Sequence, residues 1–76
     1  MLERLQKVFR TVFRDEHLMI TAKTSAKDIK MWDSLTHMVL ISSIEDHFKI
    51  SFSFEEVMQF DNVGAMLKAI ENKLHG

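Results

Sequence analysis

Three stretches of the 76-residue chain repeat apolar side chains at helical spacing, and a long stretch between the first two does not. Leu2, Leu5, Phe9, Val12 and Phe13 share one side of a helical projection, with Arg4, Lys7, Arg10 and Arg14 mostly opposite. That pattern predicts an amphipathic helix over about 2–14. The strongest repeat runs over 34–48. At about 100° per residue, Met38, Leu40, Ile41, Ile44 and Phe48 fill one arc, the expected core side, while Leu35 and Val39 point away beside Ser42 and Asp46. Asp33 and Ser34 are both suitable N-caps for it. A final helix over about 62–74 follows from Val63, Met66, Leu67, Ile70 and Leu74, with Asp61 or Asn62 as cap and Gly64 in the first turn. Ser53 and Glu56 have the spacing of a capping box, which predicts a short third helix over about 54–59.

Residues 15–32 lack periodicity. Thr21, Thr24, Ser25 and Asp28 favour turns, and Leu18, Ile20 and Ile29 are spaced too irregularly for a helix. They predict a long ordered loop pinned to the core by its apolar members, and loops of this length are often functional. The only alternating run, Ile50-Ser51-Phe52-Ser53-Phe54, has no second run to pair with and predicts no strand. The expected fold is all-α: a small four-helix bundle of three main helices and a short third one, with a long loop between helices 1 and 2. It forms one domain over 1–76, and Met1 at its head is expected to open a standalone protein.

Composition narrows the function more than the fold. At 46% hydrophobic residues the chain can fill one small core, and without cysteine it has no disulfide frame, thiolate metal site or cysteine nucleophile. No uncharged run approaches the roughly 18 residues of a membrane span, and no signal peptide is evident, so a soluble cytoplasmic protein is expected. Net charge is −1, yet residues 1–32 carry seven Lys/Arg against four Asp/Glu, and residues 33–76 three against seven. Two differently charged solvated surfaces explain this, as does an acidic partner-facing half beginning at Asp33. The basic first helix reads most simply as a solvated face.

Ser34 and His37 lie three apart on one helix, so a serine nucleophile with a base is conceivable. His37 has no evident orienting carboxylate, there is no Gly-rich oxyanion turn, and a bundle this small has little room for a substrate cleft. His37 falls within the core arc, where a partly buried, hydrogen-bonded histidine is the ordinary expectation. The histidines at 17, 37, 47 and 75 have no metal-site spacing. The later helices lack the Arg/Lys/Asn/Gln set that reads bases, so no nucleic-acid partner is expected.

Trp32-Asp33-Ser34-Leu35, followed by Leu40, Ile44, Glu45, Asp46 and Phe48, resembles the acyl carrier protein family, the phosphopantetheine-binding carriers, whose signature is Asp-Ser-Leu at the start of the second helix. The order of parts resembles it too, from about Leu2 to Leu74. The resemblance implies a non-catalytic carrier in which Ser34 bears a covalent 4′-phosphopantetheine arm, moved from coenzyme A by a separate Mg²⁺-dependent phosphopantetheinyl transferase. Acyl or aminoacyl groups would ride on the arm as thioesters. An acyl- or aminoacyl-loading ligase or adenylating enzyme would supply them, and downstream acyl-transfer or synthase enzymes would take them. A phosphodiester at a helix N-terminus is electrostatically favoured.

By the same resemblance Asp33, Leu35, Val39, Glu45 and Asp46 meet partner enzymes. Ile41, Ile44, Phe54, Val57, Phe60 and Leu67 would lie near a stowed acyl chain, although core packing explains those six equally well. A monomer is the default. The second helix carries only Glu45 and Asp46 where fatty-acid-synthesis carriers are densely acidic, and Trp32 stands before Asp-Ser-Leu as in carriers of specialised pathways. A specialised role, fatty acid, polyketide or peptidyl-carrier-like, is therefore expected over a housekeeping fatty-acid one. The rivals are a carrier-like interaction or regulatory module that is never modified, a housekeeping fatty-acid-synthesis carrier, and an ordinary DNA- or protein-binding bundle.

Overall fold

The computed structural model describes residues 1–75 and contains four helices: α1 (Leu2–Phe13), α2 (Ser34–Phe48), α3 (Phe54–Met58) and α4 (Val63–His75). Gly76, the last residue of the expected domain, lies outside the described residues. Two helices end on a left-handed residue that is not glycine. Arg14 closes α1 and Lys49 closes α2 in the left-handed conformation, at φ 54° and 58°, and their amides donate to Arg10 and Glu45 carbonyls. Helix α3 begins with the full reciprocal box: the Glu56 amide donates to Ser53 Oγ, and the Ser53 amide donates to Glu56 Oε1. Lys73 of α4 pairs with Glu56 at 2.9 Å, tying the two helices at the surface.

The core draws on every helix and on the loop. Leu5, Phe9, Leu40, Ile44, Val63, Met66 and Ile70 are fully enclosed. Ile20 and Ile29 of the loop are buried with them, and Leu18 packs at the edge. Trp32 joins an aromatic cluster, edge-on to Phe9 at 5.4 Å between ring centres and tilted against Phe13 at 6.2 Å.

The long loop also caps α4. Val63 and Gly64 amides, which a helix start leaves without partners, donate to the Thr24 and Ala22 carbonyls at 2.8 Å each. The Ala65 amide donates to Asn62 Oδ1, which makes Asn62 the side-chain cap. This close approach needs Gly64, because a Cβ there would sit 2.9 Å from the Ala22 oxygen. Inside the loop, Asp28 takes the Ser25 amide and Thr24 takes that of Thr21, so the turn-forming residues hold its shape.

Four positions differ from expectation. Met38, assigned to the core arc, is 51% exposed, while Val8, outside the expected stripe of α1, is buried. Met38 instead lines an open cleft beside Val57 and Met58 of α3 and stays half exposed. Leu74 is exposed near the end of α4. Phe54, expected near the interior, is 74% exposed, because as the first residue of a one-turn helix it projects from the bundle. Among the described residues no helix is long and apolar enough to cross a membrane.

Candidate functional site

Asp33 fixes where α2 begins. Its backbone is extended, and its Oδ1 accepts both the amide and the hydroxyl of Thr36 at 2.9 Å. Those two bonds from Thr36, amide first, hold the Asp33 carboxyl below the usual aspartate range. Ser34 is consequently the first helical residue, and its side chain is exposed. The Thr36 amide is taken by Asp33 and the His37 amide donates to the Asp33 carbonyl, leaving the Ser34 and Leu35 amides at the positive end of a 15-residue helix.

The residues on either side of Ser34 are joined to each other. Trp32 Nε1 donates to His37 Nδ1 at 2.9 Å, and the two rings lie edge to edge, within 17° of coplanar. An indole nitrogen can only donate, so His37 Nδ1 is the acceptor and the ring proton sits on Nε2. Nε2 faces the Val57 carbonyl of α3 at 3.3 Å and donates to it. Both nitrogens of His37 are thus committed, and neither is free to take a proton from Ser34. A serine–histidine nucleophilic pair is ruled out by this bonding.

Beside Ser34 lies an open cleft of about 570 Å³ between the loop, α2 and α3, whose walls include Trp32, His37, Met38, Met58 and Phe60. Asp33 carries the only charge among its lining residues. The exposed hydroxyl at a helix start, next to an apolar groove, fits a phosphate-linked arm: the anion meets helix amides and the rest of the arm has a surface to lie on.

The residues expected to meet partners separate into two groups. Asp33, Leu35 and Val39 are exposed around Ser34, Leu35 at 77%. Glu45 instead turns inward, and its Oε2 accepts the Phe52 amide at 2.8 Å to hold the α2–α3 connector. Asp46 is exposed but borders a groove shared with Lys7 and His47, towards α1. Of the residues expected around a stowed chain, Ile41, Ile44, Val57 and Phe60 are buried in one core and Leu67 packs against it, whereas Phe54 is apart from them.

Sequence reasoning placed Trp32 in the motif but gave it no partner, put Met38 in the core arc, did not single out Met58, and weighed His37 as a base for Ser34 or a core histidine but not as a partner of Trp32. One signal was available: an indole N–H needs a partner when its ring is buried, and His37 is the polar residue one helical turn beyond the cap. Among the described residues no three His, Asp or Glu side chains gather as a metal site.

A family model described as "Phosphopantetheine attachment site" matches residues 3–70. Two solved structures are similar. One is the holo acyl carrier protein of Geobacter metallireducens, at 44% identity and a TM-score of 0.92, covering 97% of this chain and 85% of that one. The other is a provisionally assigned acyl carrier protein of Mycobacterium tuberculosis, at 27% identity and a TM-score of 0.83, covering 93% and 95%. No curated protein matches the chain by sequence.

Proposed function

The chain belongs to the acyl carrier protein family, non-catalytic carriers with a covalent 4′-phosphopantetheine arm, and from that premise we propose that Ser34 is where the arm is attached. The observation that carries this is the exposed Ser34 hydroxyl at the first position of α2, capped by Asp33 and bordering the apolar cleft. When bound, the arm supplies a terminal thiol that holds a cargo acyl group. The chain's own residues do the rest. Asp33 sets the helix start, the first-turn amides of α2 would favour the linking phosphate, and Trp32, Met38 and Met58 would offer an apolar bed beside it.

Carrier proteins work with a phosphopantetheinyl transferase and with synthase enzymes. We assign their docking here to Leu35, Val39, Met38 and Met58, all exposed and apolar, with Asp33 at the margin. Glu45 supports the α2–α3 connector instead, and Asp46 is peripheral. A face so poor in free charge favours partners with apolar contact surfaces over strongly cationic ones. This supports a dedicated carrier of a specialised pathway, loaded with acyl or aminoacyl groups by a ligase or adenylating enzyme, over a housekeeping fatty-acid carrier. Ile41, Ile44, Val57, Phe60 and Leu67 remain the candidates for enclosing a long acyl chain.

The test is the cargo on the protein isolated from its native host, read by intact mass and fragmentation. A non-fatty acyl or aminoacyl load supports the specialised reading, and a ladder of fatty-acid-synthesis intermediates overturns it. A protein without an arm in its own host favours the unmodified interaction module.

A further inference from the structure

The bond between Trp32 and His37 closes a ring across Ser34, with one partner two residues before it and the other three residues after. Both ends are anchored. Trp32 is 6% exposed and wedged against Phe9 and Phe13 of α1, and His37 reaches α3 through the Val57 carbonyl. Trp32, Ser34 and His37 line the same cleft, so this bonding fixes the cleft's mouth as well as the chain on both sides of the serine. We propose that His37 is a positioning residue for modification of Ser34, acting through Trp32, and that it does so only while its ring is neutral.

The proton requirement follows from bonding capacity. Neutral His37 accepts from the indole at Nδ1 and donates to Val57 at Nε2. A second proton would place an N–H at Nδ1 against the indole N–H, two donors face to face, and the clasp must open. Little else around it can change charge. Phe9 and Phe13 on α1, Val57 and Met58 on α3 and Ala26 of the loop are uncharged, and Asp33 is committed to Thr36. Opening frees the Trp32 side of the ring, so the segment that presents Ser34 to a transferase loses its fixed approach. The consequence for Ser34 rests on the attachment reading above, while the clasp itself does not.

Trp32 is the sole tryptophan, so one indole N–H signal in the NMR spectrum reports the clasp in the intact apo protein. As acid is added until the His37 ring signals show the imidazolium form, the indole signal should move upfield in step with them. An indole signal that stays put while His37 titrates overturns the proposal without any variant. The second arm measures transferase-catalysed attachment for wild type and His37→Asn, whose amide oxygen falls where Nδ1 lies and can accept from the indole but does not titrate. The wild-type to variant rate ratio should fall with pH as imidazolium forms, which cancels the transferase's own pH response. A ratio flat across that titration overturns the positioning role. If neither protein is modified at all, the attachment reading fails and the positioning role with it, and the indole signal alone decides the clasp.

Discussion

Glu45 Oε2 accepts the backbone amide of Phe52 at 2.8 Å, seven residues further along the chain. An acidic side chain on α2 is thereby bound to the connector leading into α3, and the turn after Lys49 is held in place. Glu45 therefore serves the connector, and Asp33 is the one charged residue lining the cleft beside Ser34.

The first prediction tests that role. Glu45→Ala removes a charge-assisted bond from a partly buried amide and should destabilise the fold by about 1.5–3 kcal/mol, measured by urea denaturation. Glu45→Gln keeps an acceptor and should recover part of the loss. A Glu45→Ala protein as stable as wild type, with weakened transferase binding, would return Glu45 to the docking surface.

Apolar docking predicts a different response at Leu35. Leu35→Asp, at an exposed position, should leave the unfolding midpoint within about 0.5 kcal/mol of wild type while raising the KM for transferase. Asp46→Asn should change that KM little, and moderate salt should weaken wild-type docking only slightly. A steep salt dependence would point to charge-led recognition.

The contact between the loop and α4 depends on Gly64. Gly64→Ala brings a Cβ to 2.9 Å from the Ala22 oxygen, where the neighbour is backbone and cannot rotate away. A loss of about 1–3 kcal/mol is expected, read by thermal unfolding, with faster amide exchange at Val63 and Gly64 as the loop lifts. Exchange unchanged at both amides would mean that the loop is held elsewhere.

Lys49 is held at φ 58°, a conformation glycine adopts without steric cost. Lys49→Gly should stabilise the fold by about 1 kcal/mol, seen as a higher thermal midpoint. An unchanged or lower midpoint would show that the lysine side chain contributes something the backbone geometry does not reveal.

Acid should weaken the fold through two caps. Asp33 is held below its usual range by Thr36, and Glu56 by the Ser53 amide and then Lys73. Carboxyls with lowered folded-state values contribute stability that is present above their ordinary range, about pH 4, and is lost as pH falls through the folded values. The stability advantage of wild type over Asp33→Asn with Glu56→Gln should therefore shrink below about pH 4. An advantage that persists unchanged into strong acid would contradict the capping roles.

Local signals carried most of the architecture. The 3.6-residue repeat gave α1, α2 and α4, and the Ser53–Glu56 pair marked the start of α3, because period and caps depend on residues close in sequence. The loop's apolar members also announced their burial. What the sequence concealed was long-range: the Ala22 and Thr24 carbonyls on the start of α4, Glu45 reaching Phe52, and His37 between Trp32 and Val57. Each depends on where two segments meet, which spacing along one helix cannot reveal. Met38 and Phe54 were misplaced for the same reason, since an apolar side chain at the margin of a stripe is buried only if a neighbour reaches it.

The central claim is that the arm is attached through Ser34. Apo wild type and Ser34→Ala, each incubated with coenzyme A, Mg²⁺ and a broad-specificity phosphopantetheinyl transferase, are compared by intact mass. The account predicts one phosphopantetheine on wild type and none on the variant. An arm on folded Ser34→Ala, or none on wild type with several transferases, would contradict it.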